Sequence, residues 1–94
     1  MPRIEDWGLY TLRPHDGSRY ALHGRIFDRT GFPDGELGDT SEVIAFLPSE
    51  GEAITRNSVY DLGAVSPDFV AFLQTLGQTL DSLAFDNREK THTP

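Results

Sequence analysis

Two patterns of hydrophobic and polar residues divide the chain. In residues 9 to 62, short stretches alternate apolar and polar side chains, which is the period of a β-strand. In residues 67 to 85, apolar side chains instead recur at steps of three and four, the spacing of one face of an α-helix. The patterns therefore predict a strand-rich core followed by a single helix.

The first two strands are predicted as a hairpin. Leu9 to Arg13 and Arg19 to Phe27 flank the dipeptide Asp16-Gly17, which favours a tight turn with positive φ angles. These strands should be antiparallel neighbours. Gly24 interrupts the apolar face of the second strand, which suggests a bulge or a sharp bend.

Two further strands follow a long connection at residues 28 to 40. The third strand, residues 42 to 47, has apolar side chains on both faces and should be central in the sheet. The fourth is placed at residues 53 to 62. Its polar stretch from Thr55 to Ser58 predicts a bulge, a corner or an exposed edge.

Three consecutive residues indicate where the helix begins. Ser66 suits the capping position, Pro67 the first turn and Asp68 the positive end of the helix dipole. We expect its apolar stripe to pack on the sheet, so that Leu76→Ala costs about 2 to 5 kcal/mol. The stripe comprises Phe69, Phe72, Leu73, Leu76, Leu80 and Leu83.

Together these elements predict one α+β domain. We expect a small, strongly bent antiparallel β-sheet or barrel of four to five strands, with one C-terminal amphipathic helix packed on it. A chain of 94 residues corresponds to a single core. The domain is placed at residues 1–86, and the polar residues 87–94 are expected to form a flexible tail.

The charge balance restricts the classes of partner. Fifteen acidic residues against eight basic ones give a net charge of -7, which repels phosphate and attracts basic surfaces. Direct nucleic-acid binding is thus disfavoured. The chain has no cysteine, which excludes disulfides and thiol chemistry. No apolar run approaches the length of a membrane span, so we expect a cytoplasmic protein without membrane contact.

No motif for catalysis, metal binding or cofactor binding is evident. His15, His23 and His92 lack the spacing of metal ligands, and we interpret His23 as a polar residue on a strand face. The serines stand in no nucleophile elbow, and the glycines form no phosphate-binding loop. We therefore expect a protein that is not an enzyme and needs no cofactor.

The connection after the second strand is the candidate binding site. It is acidic, with Arg29 as its one basic residue. The acids are either solvated surface groups or one negative patch around an aromatic anchor, which would speed association with a basic partner. The candidate partner-binding residues are Asp28, Phe32, Asp34, Glu36, Asp39 and Glu42. Trp7 is either a second anchor or a lid over one end of the sheet.

Four short stretches resemble a pattern found in small uncharacterised proteins of bacterial prophages and mobile elements. They are residues 22–27, 32–35, 40–41 and 55–63. No functional residue carries over from that group. The resemblance implies a setting in which small acidic proteins block host machinery, as anti-CRISPR and other anti-defence inhibitors do.

These observations favour non-catalytic binding of a protein partner. The expected role is that of a phage or mobile-element inhibitor, which occupies a basic surface of a nucleic-acid-handling complex through its acidic loop. One alternative is a structural protein that self-associates, as a homodimer, through an exposed strand edge near Thr55 to Ser58. Another is a small-ligand-binding domain, which would need a deep pocket beside His23 and Arg25.

Overall fold

The computed structural model describes residues 1–11 and 19–88. These residues form seven β-strands, one α-helix and two single-turn 3-10 helices at Pro48–Glu50 and Asp81–Leu83. The strands are β1 (Arg3–Thr11), β2 (Tyr20–Phe27), β3 (Glu36–Asp39), β4 (Val43–Leu47), β5 (Glu52–Thr55), β6 (Val59–Leu62) and β7 (Phe85–Asp86). The helix α1 spans Pro67–Thr75.

All seven strands belong to one sheet, in the order β3-β2-β1-β6-β5-β4-β7. The α+β class is confirmed, but the predicted count of four to five strands is wrong. The sheet is open, with β3 and β7 at its edges, and does not close into a barrel. It is also mixed, because β1 and β6 run parallel at the centre while the other neighbouring pairs are antiparallel.

The predicted pairing of the first two strands is confirmed, since β1 and β2 are antiparallel neighbours. The Asp16-Gly17 turn between them, with His15, lies outside the described residues, as do His92 and positions 89–94 of the predicted tail. The first strand starts at Arg3, well before the predicted Leu9.

A β-bulge in β1 explains why the alternation of apolar and polar residues did not reveal this early start. Glu5 pairs with Arg25 and Gly8 pairs with His23, so two residues of β1, Asp6 and Trp7, lie opposite the single residue Gly24. Asp6 adopts a positive φ of 51° at this point. A Cβ atom on Gly24 would lie 2.7 Å from the carbonyl oxygen of Glu5 and 2.9 Å from the Cα of Trp7. The bulge suggested by Gly24 therefore exists, in the facing strand.

The bulge directs Trp7 into the core, where its side chain is 2% exposed. Its ring meets Phe46 edge-on at a centroid distance of 5.7 Å and Phe69 of α1 at 6.3 Å. The indole N–H donates to the carbonyl oxygen of Gly63 at 3.0 Å, which satisfies its buried polar group. The core cluster comprises Ile4, Trp7, Leu22, Ile26, Val43, Phe46, Ala53 and Tyr60.

The predicted third strand is confirmed as β4, whose residues Val43 to Phe46 are all buried. The predicted fourth strand is wrong as a single element, because its polar stretch is the turn between β5 and β6. There the amide N–H and the hydroxyl of Thr55 both donate to the carbonyl oxygen of Ser58, each at 2.8 Å. The polar stretch is thus a hairpin turn between two strands that lie inside the sheet, and it provides no exposed strand edge.

The helix starts at Pro67 after Ser66, as predicted, but it ends at Thr75 instead of continuing to residue 85. Gly77 takes a left-handed φ of 67°, and the N–H of Gln78 returns to the carbonyl oxygen of Leu73 at 2.9 Å. This C-terminal cap reverses the chain, so Leu80 and Leu83 reach the core from the segment that follows. Among the described residues, no helix has the length and apolar character to cross a membrane.

The shorter helix changes the expected cost of truncating its leucines. Leu76 is 56% exposed and Leu73 only 4%, so the large cost predicted for Leu76 belongs to Leu73. We expect Leu73→Ala to lower the free energy of unfolding by about 2 to 5 kcal/mol and Leu76→Ala by less than about 1 kcal/mol. Urea unfolding followed by circular dichroism measures both, and equal losses would contradict the observed burial.

Gly24 should tolerate no side chain. We expect Gly24→Ala to cost about 3 kcal/mol or more, because the atoms that its methyl group would meet belong to the backbone and cannot move aside. Gly31→Ala is the control: its φ is 77° and nothing lies within 4 Å of an added Cβ, so only a backbone cost of about 1 kcal/mol is expected. Similar urea midpoints for the two variants would refute the close approach at the bulge.

Candidate protein-binding site

The acidic segment, residues 28 to 42, is more ordered than a long loop. Its first part, residues 28–35, is a compact turn, in which the backbone N–H of Asp28 donates to Oδ1 of Asp34 at 2.9 Å. Asp28 itself has a positive φ of 62°. The second part contains β3, which pairs back along β2. The segment predicted as a connection thus forms an edge of the sheet.

Two side chains fasten this segment to the core. Arg29 donates to the phenol oxygen of Tyr60 at 3.0 Å and to the carbonyl oxygen of Asp39 at 3.2 Å. Its guanidinium group also lies 4.3 Å from the ring centroid of Phe32. Phe32 is partly buried against the core, and its ring lies where a Cβ on Gly38 would be. Phe32 therefore holds the segment in place and exposes only part of its ring.

Three of the predicted carboxylates project from this support. Asp28, Asp34 and Glu36 are exposed and close in the chain, and we call these three residues the acidic rim. Among the described residues, the rim makes one weak ion pair, in which Arg3 lies 4.0 Å from the carboxylate of Asp28. Arg25 also lies near the rim, since it donates to the carbonyl oxygen of Gly35, between Asp34 and Glu36, at 3.0 Å. The rim thus presents three exposed carboxylates, none of them in a close ion pair among the described residues.

The other two predicted carboxylates each contact a nitrogen atom of a side chain outside the acidic segment, that of His23 or Arg56. Oδ1 of Asp39 lies 2.7 Å from Nδ1 of His23 on the neighbouring strand. Oε1 of Glu42 accepts a hydrogen bond from Nε of Arg56 at 2.8 Å, at the turn between β5 and β6. The structure thus brings together three members of the predicted patch and separates two. Trp7, the second anchor considered, is buried in the core.

Asp39 also belongs to a polar cluster that the sequence pattern did not predict. Tyr10, His23 and Asp39 come from the adjacent strands β1, β2 and β3. The hydrogen bond from His23 is the main cause that lowers the pKa of Asp39, and a bond from Tyr10 adds to it. Burial raises the pKa of Tyr10, with Asp39 as a further cause. Only the β2–β3 register could reveal this cluster, because alternation alone does not show which strands pair.

The described residues show no grouping that would hold a metal ion, since three or more His, Asp or Glu side chains do not converge among them. A cleft of about 370 Å³ is lined by Leu9, Tyr20, Ser82, Leu83, Phe85 and Asn87. A smaller groove of about 160 Å³ adjoins α1. Neither is lined by His23 or Arg25, beside which the small-ligand hypothesis required a pocket.

Comparisons of the chain with models of protein families, with curated proteins and with solved structures find no match. A functional proposal for the protein therefore depends on the charge, exposure and support of its own residues. The feature that combines all three is the acidic rim on its fastened segment.

The pairing of His23 with Asp39 should be visible in acid titration. A carboxyl group whose pKa is lowered on folding stabilises the protein above its unfolded pKa, and that contribution is lost as the pH falls through the lowered value. In the His23→Ala variant we expect the pKa of Asp39 to rise, and the loss of stability in acid to become shallower. Tyr10→Phe should raise the same pKa by less.

The Asp39 side-chain ¹³C chemical shift, followed against pH by NMR, measures both variants. If Asp39 titrated identically in the wild-type protein and in His23→Ala, the hydrogen bond between these two side chains would not exist in solution.

Proposed function

We propose that the protein is a non-catalytic binding module whose acidic rim takes a protein partner with a basic surface. The observation that carries the proposal is the contrast between exposure and support. The carboxylates of Asp28, Asp34 and Glu36 are exposed, while the segment behind them is fixed by Arg29 and Phe32.

Such a surface has two physical advantages in binding. The net charge of -7 steers a basic partner towards the protein and raises the association rate. Because the segment is already ordered, binding loses less conformational entropy than the docking of a flexible loop would. The exposed part of Phe32 adds an apolar contact beside the charges, which slows dissociation.

The basic surface proposed for the partner is one that normally holds nucleic acid. A rim of carboxylates competes with phosphates for the same Arg and Lys side chains, so the protein would inhibit a nucleic-acid-handling complex by occupying its groove. An anti-defence role in a phage or mobile element, including anti-CRISPR inhibition, is the setting that we propose. It is supported by the sign of the charge and by the resemblance in residues 22–27, 32–35, 40–41 and 55–63.

Binding of a small ligand is the second candidate function. One observation favours it: the cleft of about 370 Å³ between β1 and β7 has the volume of a small-molecule site. Its lining combines the aromatic rings of Tyr20 and Phe85, 5.5 Å apart, with the polar side chains of Ser82 and Asn87. A ligand there would be a small apolar ring with one or two hydrogen-bonding groups.

Neutralising the acidic rim should abolish partner binding without disturbing the fold. The triple variant Asp28→Asn, Asp34→Asn and Glu36→Gln keeps the size of each side chain, and an Asn at 34 can still accept the N–H of residue 28. The matched control, Glu50→Gln, Asp61→Asn and Asp81→Asn, removes three exposed carboxylates outside the acidic segment.

The measurement is affinity capture from a bacterial lysate, at low and high salt, with bound proteins identified by mass spectrometry. We expect a nucleic-acid-binding protein to be retained at low salt by the wild type and the control, and lost from the rim variant. Equal retention by the two triple variants would show that the rim is not the binding site.

A further inference from the structure

We propose that the outer edge of strand β3 pairs with an extended, basic segment of the protein partner. β3 (Glu36–Asp39) lies at one end of the sheet, so its outer side has no neighbouring strand among the described residues. An open edge of this kind can take one more strand through main-chain hydrogen bonds, a mode of binding called β-augmentation. The inference rests on the proposed function, because it names the part of the partner that the acidic segment takes.

The register of β3 on β2 determines which main-chain groups face outwards. In an antiparallel pair, residues that exchange hydrogen bonds with the neighbouring strand alternate with residues whose N–H and C=O point the other way. The N–H of Thr40 donates to the carbonyl oxygen of Leu22 at 2.9 Å. Thr40 thus faces β2, as does Gly38 two residues earlier. Leu37 and Asp39 therefore direct their N–H and C=O groups away from β2.

One contact at this edge agrees with that direction and limits the length of the added strand. Arg29, from the turn before β3, donates to the carbonyl oxygen of Asp39 at 3.2 Å, and this oxygen belongs to the outward set. An incoming strand would therefore bond to the N–H and C=O of Leu37 and to the N–H of Asp39. Three such bonds correspond to a short segment of the partner.

The side chains of the edge identify the added strand as basic. Leu37 is 52% exposed, between the exposed acids Glu36 and Asp39. Hydrogen bonds from His23 and Tyr10 lower the pKa of Asp39, which keeps its carboxylate charged. Two copies of the protein paired along this edge would bring carboxylates of both chains together, which is destabilising. A strand with basic side chains opposite the acids would instead be stabilised by them.

The antiparallel direction also predicts the sequence pattern of the partner. An added strand that runs opposite to β3 meets Asp39 first, then Leu37 and then Glu36. Its pattern is therefore a basic residue, any residue, an apolar residue and a second basic residue. The edge is formed before binding, because Arg29 and Phe32 fasten the segment to the core, so little conformational entropy is lost on this side.

A capped peptide of this pattern, Thr-Lys-Thr-Val-Lys-Thr, tests the edge by NMR titration of the ¹⁵N-labelled protein at low salt. We expect saturable shifts of the Leu37 and Asp39 amide signals, with a dissociation constant below about 1 mM. The same peptide with glutamate in place of both lysines should not bind. Methylation of the valine nitrogen removes the donor to the carbonyl oxygen of Leu37 and should weaken binding about tenfold or more.

Two variants of Leu37 form a matched pair. Leu37→Pro removes the outward N–H and leaves the bonds to β2, which come from the neighbouring residues, and proline is tolerated at such edge positions. Leu37→Ala removes the side chain but keeps the N–H. We expect the proline variant to bind the peptide about tenfold more weakly than the alanine variant. Circular dichroism checks that both are folded, and the N-methylated peptide makes the same test on the wild type.

The proposal is overturned if the wild type shows no saturable shifts, or if N-methylation and Leu37→Pro leave peptide binding at the level of their controls. If binding then disappeared only in the triple variant of the acidic rim, charge alone would hold the peptide, and the proposed function would stand without the added strand. Binding that requires the N–H of Leu37 but survives the rim variant would keep the added strand and contradict the role of the rim.

Discussion

The packing of Trp7 at the β1 bulge is the interaction on which the rest of the structure depends. The bulge gives this residue an inward direction, and the absence of a side chain at Gly24 makes room for it. Its ring then contacts Phe46 from the far half of the sheet and Phe69 from the helix, while its N–H reaches Gly63 beyond β6. A single side chain thus contacts both halves of the sheet and the helix. In a small domain of marginal stability, these contacts contribute a large share of the free energy of folding.

The proposed binding surface depends on this packing of Trp7. Because β1 is fixed at the centre of the sheet, β2 and β3 extend from it as a rigid support, and Arg29 ties the acidic segment across to Tyr60 of β6. The rim carboxylates are therefore held on a fixed backbone, which favours a binding role over a flexible tether.

The sequence predicted the local elements whose signals lie within a few residues. The β1–β2 pairing, the buried strand β4 and the start of α1 at Pro67 are examples. The sequence did not predict the features that depend on contacts between distant parts of the chain. The bulge at Asp6 and Trp7 breaks the alternation that would have revealed the start of β1, and apolar spacing continued past Gly77 because the following turn also faces the core. In the candidate site, the acids were evident from composition, but the pairing of Asp39 with His23 required the register of β3 on β2.

The most direct test of the central role of Trp7 is hydrogen exchange of its indole N–H, which gives a unique NMR signal because the chain has one tryptophan. If Trp7 joins the halves of the sheet and the helix, its indole proton exchanges only when the whole protein unfolds. The free energy from exchange then equals that from urea unfolding. Rapid exchange with a free energy near zero, in a protein that is otherwise folded, would show that Trp7 does not hold the halves of the sheet and the helix together.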